Sequence, residues 1–209
     1  MNNMNKGLND QWNSRYASAE YIYGEEPNQF FRAEIDKLNP GTILLPGEGE
    51  GRNGVYAALK GWKVTAFDIS EEGAKKARAL AARNGVAIDY SIISFSDIEF
   101  ERGSFDCIAM IYVHMHFASR SEYSNKLIGY LKPGGTLILE AFSKSQIGND
   151  SGGPRDVNML FSANELRDDF AHLEIIQLSE IKTELSEGSF HRGSADVVRL
   201  IARKPHVQI

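Results

Sequence analysis

The sequence predicts an α/β fold: a mostly parallel, doubly wound sheet that ends in a hairpin. Three observations predict it. Thr42–Ile69 reads as strand, glycine turn, helix, strand and acid, which is a βαβ unit, and such crossovers are right-handed in nearly all cases. Phe105–Tyr112 is a near-continuous apolar run, the pattern of a strand buried on both faces. Strand-like and helix-like stretches then alternate until two strand-like stretches follow one another at the end of the chain.

The elements follow in order. Residues 1–10 are polar and are expected to fray. Trp12–Tyr16 and Tyr21–Gly24 are rich in aromatic residues. They suit a packing arm over the sheet, or a flap that brings Arg15, Tyr16 and Tyr23 near a ligand. Pro27 opens a helix through Leu38 with Phe30, Phe31, Ile35 and Leu38 inward, stopped by Asn39-Pro40-Gly41. Thr42–Leu45 is the first strand, stopped by Pro46. Asn53–Lys60 is a helix with Val55, Ala58 and Leu59 on one face, closed at Gly61. Lys63–Phe67 is the second strand, closed by Asp68. Ser70 caps the next helix, with Glu71 and Glu72 in its first turn and Asn84-Gly85 as its stop. Ala87–Ile93 is the third strand and Phe105–Tyr112 the fourth. Arg120–Leu131 is a helix with Tyr123, Leu127, Ile128 and Leu131 on one side. Leu131-Lys132-Pro133-Gly134-Gly135 is a tight turn into the fifth strand, Thr136–Phe142. Residues 143–159 form a long loop with the character of a lid. Ser162-Ala163-Asn164-Glu165 is a capping box that starts a helix to about Phe170. His172–Leu185 supplies the sixth strand, with Leu173, Ile175, Ile176, Leu178 and Ile181. Ser186–Ser189 turns the chain, and Ala195–Arg203 returns as the last strand.

The chemistry centres on Gly47-Glu48-Gly49-Glu50-Gly51 and Asp68. Glycine permits positive φ and lets a ligand approach the backbone without meeting a Cβ. Asp68 stands 17 residues after Gly51, at the end of the neighbouring strand, where an acid can accept hydrogen bonds from a ribose. The loop therefore reads as a nucleoside site. Gly49-Glu50-Gly51-Arg52-Asn53-Gly54 matches GxGxxG, but Asp68 lies only 14 residues past Gly54, short of the roughly 20 of a dinucleotide unit. Glu48 and Glu50 also place negative charge where a pyrophosphate would lie. No GxxxxGK[ST] run is present. A cationic, phosphate-free adenosyl ligand fits better.

On these residues the chain resembles the class I S-adenosylmethionine-dependent methyltransferases, whose first motif is an acid–x–G–x–G–x–G run. Leu45 stands where the family has its acid, and Glu48 is the candidate to replace it at the ligand's ammonium group. Leu131-Lys132-Pro133-Gly134-Gly135 also recurs in that superfamily. The opening Trp12…Arg15-Tyr16…Tyr21-x-Tyr23-Gly24 and the tail Glu187-Gly188-Ser189-Phe190-His191-Arg192-Gly193 look like the small-molecule branch of tellurite-resistance (TehB-like) and thiopurine methyltransferases. The resemblance implies a seven-stranded Rossmann-like sheet with an antiparallel C-terminal pair. It implies a cap over residues 1–38 and a catalytic domain over 39–209. It implies S-adenosylmethionine contacts at Gly47, Glu48, Gly49, Gly51, Asn53, Asp68, Ile69 and Ile111. Either Ser94-Phe95 or Asp97 with Ile98 flanks the adenine. His114, His191 and Tyr16 are the candidate catalytic residues, and His116, farther along its loop, is a weaker one. The expected reaction is methyl transfer to a small acceptor such as a thiol or a chalcogen oxyanion.

Composition bounds the alternatives. The chain has 209 residues, 42% hydrophobic and 24% charged, ordinary for one soluble α/β domain. A net charge of −5 and a pI near 5.6 offer no basic face for nucleic acid. Cys107 is the single cysteine, so no internal disulfide forms, consistent with a cytoplasmic setting. MNNMNKGLND has no apolar core for a signal peptide, and no apolar run reaches the ~20 residues that span a bilayer. His114 and His116 have no carboxylate or cysteine at ligand spacing, so no metal site is expected. A small-molecule substrate and a monomer or homodimer are the expected partners. The rival readings are an NAD-type oxidoreductase and a protein that binds S-adenosylmethionine without turning it over.

Overall fold

The computed structural model describes residues 3–206. Six helices and seven strands run in the order α1 (Asn3–Tyr16), α2 (Gln29–Ile35), β1 (Thr42–Pro46), α3 (Arg52–Leu59), β2 (Lys63–Asp68), α4 (Glu71–Arg83), β3 (Asp89–Ile92), β4 (Phe105–Ile111), α5 (Phe117–Tyr130), β5 (Leu131–Phe142), α6 (Ala163–Asp169), β6 (Glu174–Glu187) and β7 (His191–Arg203). The strands form one seven-stranded sheet in the order β3-β2-β1-β4-β5-β7-β6. The chain divides into two compact units, one running to Ile98 and including Glu187–Phe190, the other holding Glu99–Ser186 and the chain from His191.

In the first unit β1, β2 and β3 are parallel. Ile43, Leu44, Leu45, Ala66 and Phe67 are fully buried, as expected where helices cover both faces. Asn28 caps α2 by accepting from the Phe31 N–H, and Ser70 caps α4 by accepting from the Gly73 N–H. Two expectations change here. Residues 3–10 do not fray but open α1, because Asn9 Nδ2 donates to the Ile69 carbonyl at 2.7 Å and Asn13 Oδ1 accepts from Ser70 Oγ and Glu72 N at the start of α4. Met1 and Asn2 lie outside the described residues. On α3 it is Val55 and Ala57 that face inward, while Leu59 is 53% exposed.

In the second unit β4 and β5 are parallel and β5 and β7 antiparallel. The expected turn at Leu131–Gly135 is absorbed into β5: Phe105 pairs with Leu131 and Cys107 with Thr136, so residues 132–135 bulge from the ladder. The expected lid at 143–159 is pinned instead. Gln146 is buried; its Oε1 accepts from the Asp196 N–H at 2.8 Å and its amide donates to Ser151 and Gly152. The Ser162–Glu165 capping box forms as read. β6 lies at the sheet edge, and Ile176 on it is 54% exposed. Phe142, Leu160, Leu185, Ala195 and Val197 form a core cluster of this unit. Arg120 on α5 is buried at 1% exposure, donating to the Leu160 carbonyl at 3.3 Å and paired with Asp169 at 2.6 Å and with Glu165.

Candidate functional site

In the first unit the site residues are held by backbone geometry. After Pro46 the chain turns through Gly47, Gly49 and Gly51, at φ 60°, 61° and 91°. These are left-handed values that favour glycine. At Gly51 a Cβ would meet Ala77 at 2.6 Å, so the residue also permits α3 and α4 to approach. Asp68, at the end of β2, clasps the loop: Oδ2 accepts from the Gly49 N–H at 3.0 Å and Oδ1 from the Ser70 N–H at 2.9 Å. Burial raises its pKa to about 6, against the opposing pull of these donors. The Ile69 N–H is a third backbone donor to this carboxylate, and the acceptor capacity left over suits a ligand hydroxyl.

Glu48 is also buried. Its Oε1 accepts from the Gly54 N–H at 2.6 Å. Gly51 is the N-cap residue of α3 and has no side chain to cap it, so Glu48 takes over the capping work. Burial raises its pKa to about 7, partly offset by the Gly54 N–H, Arg52 and Asn53. Two expectations are corrected at this loop. Glu50 does not present a free charge, because Lys76 pairs with it at 2.7 Å. Asn53, expected against the cofactor, is engaged within the protein: Oδ1 accepts from the Asn28 N–H at 2.9 Å, and its side chain hydrogen-bonds Glu48.

Tyr16 lies directly over the loop. Its hydroxyl oxygen is 2.6 Å from where a Cβ on Gly49 would stand, and its ring is 3.1 Å from the corresponding point on Gly73. Burial and the nearby Asp68 raise its pKa well above the usual phenol value. Its hydroxyl thus stays protonated at neutral pH. Tyr90 closes the same loop by donating to the Gly49 carbonyl at 2.6 Å. The two expected adenine-flanking pairs belong to one turn, in which Ser94 Oγ donates to Asp97 Oδ2 at 2.7 Å. Phe95 packs edge-on against Phe67, with centroids 5.0 Å apart, and Ile98 is buried. Ile69 uses its carbonyl to hold Asn9.

In the second unit the candidates gather at the end of β4. Ile111 closes that strand. Tyr112 follows at φ 54°, the one non-glycine residue at positive φ among those described. Strain at a strand end is often kept for function, and hydrophobic patterning gave no sign of it. The Tyr112 ring lies 4.4 Å from the His191 ring and 4.7 Å from Phe142. His191, the first residue of β7, is buried and 5.2 Å from Phe142. His114 stacks on Phe142 at 5.6 Å.

His114 departs from its expected role as a titrating base. Its Nε2 accepts from the Phe142 N–H at 3.4 Å, so Nδ1 carries the proton to the Met159 carbonyl at 2.9 Å. Burial, the larger cause, and His191 together lower its pKa to about 4. With both nitrogens occupied it is a brace. His116 is exposed and caps α5 by accepting from the Ala118 N–H.

A family profile described as "Methyltransferase domain" matches residues 44–139, which run from within β1 into β5. Residues 44–139, a little under half of the chain, thus match a methyltransferase domain. Its curated relatives include the ubiquinone biosynthesis O-methyltransferases of Xanthomonas euvesicatoria pv. vesicatoria, 32% identical over 52% of this chain and 46% of that one, and of Rickettsia prowazekii, 27% identical over 54% and 43%. The match therefore spans less than half the length of these relatives. Solved structures extend the likeness in fold to nearly the whole chain. One comes from work on the conversion of a disulfide bond into a thioacetal group in echinomycin biosynthesis (TM-score 0.79, 17% identity, 98% of this chain and 93% of that one). Haemophilus influenzae TehB gives a TM-score of 0.70 at 19% identity, over 94% and 66%. A Burkholderia thailandensis 1,6-didemethyltoxoflavin-N1-methyltransferase, solved with S-adenosylhomocysteine, gives 0.68 at 21%, over 95% and 87%. The fold thus keeps the expected sheet, with Glu48 capping α3 where a ligand contact was expected.

Proposed function

We propose that the protein transfers a methyl group from S-adenosylmethionine to a small-molecule acceptor. One observation carries the reading. Two carboxylates, Glu48 and Asp68, are buried at a glycine loop, and burial has raised both pKa values toward neutrality. Buried carboxylates without a full countercharge favour a ligand that brings positive charge and hydroxyl donors. A dinucleotide brings the wrong charge.

When bound, S-adenosylmethionine supplies a methyl group on a sulfonium, already a good leaving group. The chain's residues then have binding and alignment to provide. Asp68 takes a ribose hydroxyl on its remaining acceptor capacity. Gly47 allows close approach of the ligand, while Gly49 makes room for Tyr16. Glu48 faces the ammonium, while Phe95 or the turn at Asp97 borders the adenine. Tyr16, protonated, covers the loop and donates. Alignment of this kind can be worth about 7–11 kcal/mol.

The relatives' O-methyltransferase names favour a hydroxyl acceptor, which must lose a proton. With His114 occupied, His191 beside Tyr112 is the residue for that proton; a thiolate would need no base. The test is S-adenosylhomocysteine formation over a panel of phenols, thiols and chalcogen oxyanions. Turnover of at least one acceptor is expected. S-adenosylmethionine binding without product over the whole panel would turn the reading into that of a non-catalytic binder.

A further inference from the structure

We propose that Arg15 is a specificity residue that holds a carboxylate of the methyl acceptor. The proposal rests on the methyl-transfer reading and deepens it. Among the described residues four arginines are not exposed: Arg15, Arg52, Arg120 and Arg199. Three are matched with carboxylates: Arg52 with Glu187 at 2.8 Å, Arg120 with Asp169 at 2.6 Å, and Arg199 with Glu140 at 2.5 Å. No acidic side chain among the described residues pairs with Arg15. Its guanidinium lies 4.9 Å from the centroid of Trp12 and 5.4 Å from that of Phe190, and Nη1 donates to the Tyr23 hydroxyl at 3.1 Å.

Rings and one hydroxyl stabilise the cation without neutralising it. They also shape it. Two aromatic side chains and the Tyr23 hydroxyl hold the group in place at a partly exposed position, where its other N–H donors can reach a ligand. A guanidinium in that state matches the paired oxygens of a carboxylate.

Two arguments assign the carboxylate to the acceptor rather than to the cofactor. Successive residues of a helix point about 100° apart. Tyr16 is the α1 residue that lies over Gly49 and Gly73, so its neighbour Arg15 is turned from the loop toward Phe190 and Tyr23. S-adenosylmethionine also carries net positive charge, since its ammonium cancels its carboxylate and the sulfonium remains. A bare guanidinium opposes such a ligand and favours an anionic one.

The test is calorimetric titration of the full chain saturated with S-adenosylhomocysteine, using two probe pairs that differ in the carboxylate: 4-hydroxybenzoate against phenol, and mercaptoacetate against 2-mercaptoethanol. In at least one pair the carboxylate member is expected to bind about tenfold tighter. Arg15→Gln should erase that preference and Arg15→Lys restore part of it, with S-adenosylmethionine affinity unchanged in both variants. Absence of a carboxylate preference in both pairs overturns the proposal. So does a variant that weakens S-adenosylmethionine but not 5′-methylthioadenosine, which lacks the carboxylate; Arg15 would then serve the cofactor. If S-adenosylhomocysteine itself does not bind, the functional reading fails first, and the two failures are distinguishable.

Discussion

Glu48 is a helix cap that the proposed function also sets against the ligand. It caps α3 through the Gly54 N–H from a buried position, and its pKa is raised to about 7 from an ordinary 4.5. The folded state therefore holds the proton more tightly than the unfolded state. Its contribution is full below about 4.5 and is lost as pH rises to about 7. The difference of 2.5 units corresponds to about 3 kcal/mol, by order of magnitude. Glu48→Gln keeps an acceptor for Gly54 without the charge. The variant should be the more stable protein at pH 8, by up to about 3 kcal/mol, with the advantage shrinking toward pH 4.5. Urea unfolding at pH 8, 6.5 and 5 measures it, and a pH-independent difference would refute the assignment. The two histidines separate by the same reasoning. His114, held near 4, loses its stabilising contribution as pH falls from 6.5 toward 4. His114→Ala should lower stability by about 2–3 kcal/mol, because it leaves the Phe142 N–H unpaired. His191→Ala should lower turnover of a hydroxyl acceptor by about 100-fold with little change in cofactor affinity. Steady-state kinetics beside thermal unfolding distinguishes the two.

At the scale of elements, the turn between β6 and β7 is fastened to the segment after α1. A Cβ on Gly188, at φ 66°, would stand 2.1 Å from the Ile22 carbonyl. Ser189 N–H donates to that carbonyl at 2.9 Å, and Glu187 pairs with Arg52. Gly188→Ala should therefore cost about 2–3 kcal/mol through strain and displacement, seen as a lowered Tm. A Tm equal to wild type would show that the turn yields freely. These fastenings mark the limit of what the sequence displayed. β1, α3, β2 and the capped α4 could be read because each obeys a local rule: apolar periodicity, glycine at positive φ, a Ser70 cap. α1 could not, since its anchors are amide side chains bonded to Ile69 and Ser70, far away in sequence. Arg120 and Asn53 looked like surface or ligand residues because their partners Asp169 and Asn28 are likewise remote. The Gly47–Gly51 loop and Asp68 were visible for the opposite reason, their spacing being set by one βαβ unit.

At the scale of the whole molecule, a seven-stranded sheet of this order is shared with proteins of differing chemistry; one neighbour in fold is a [4+2]-cyclase, SpnF, at a TM-score of 0.72 and 15% identity. The sheet by itself does not select a reaction. On the proposed reading, what selects a cationic adenosyl ligand is the pair of buried carboxylates at the glycine loop. Because such a ligand favours their ionised forms, its affinity should tighten as pH rises through about 6 to 7. Among the described residues no helix is long and apolar enough to cross a membrane. The most direct measurement is calorimetric titration of S-adenosylmethionine into the wild type and Asp68→Asn at pH 6 and pH 8. The account predicts tighter wild-type binding at pH 8 and about a 100-fold loss in the variant, the upper end of the roughly 1.5–3 kcal/mol of a hydrogen bond to a charged acceptor. Equal affinity in the two proteins, or binding of NADH in place of S-adenosylmethionine, would contradict it.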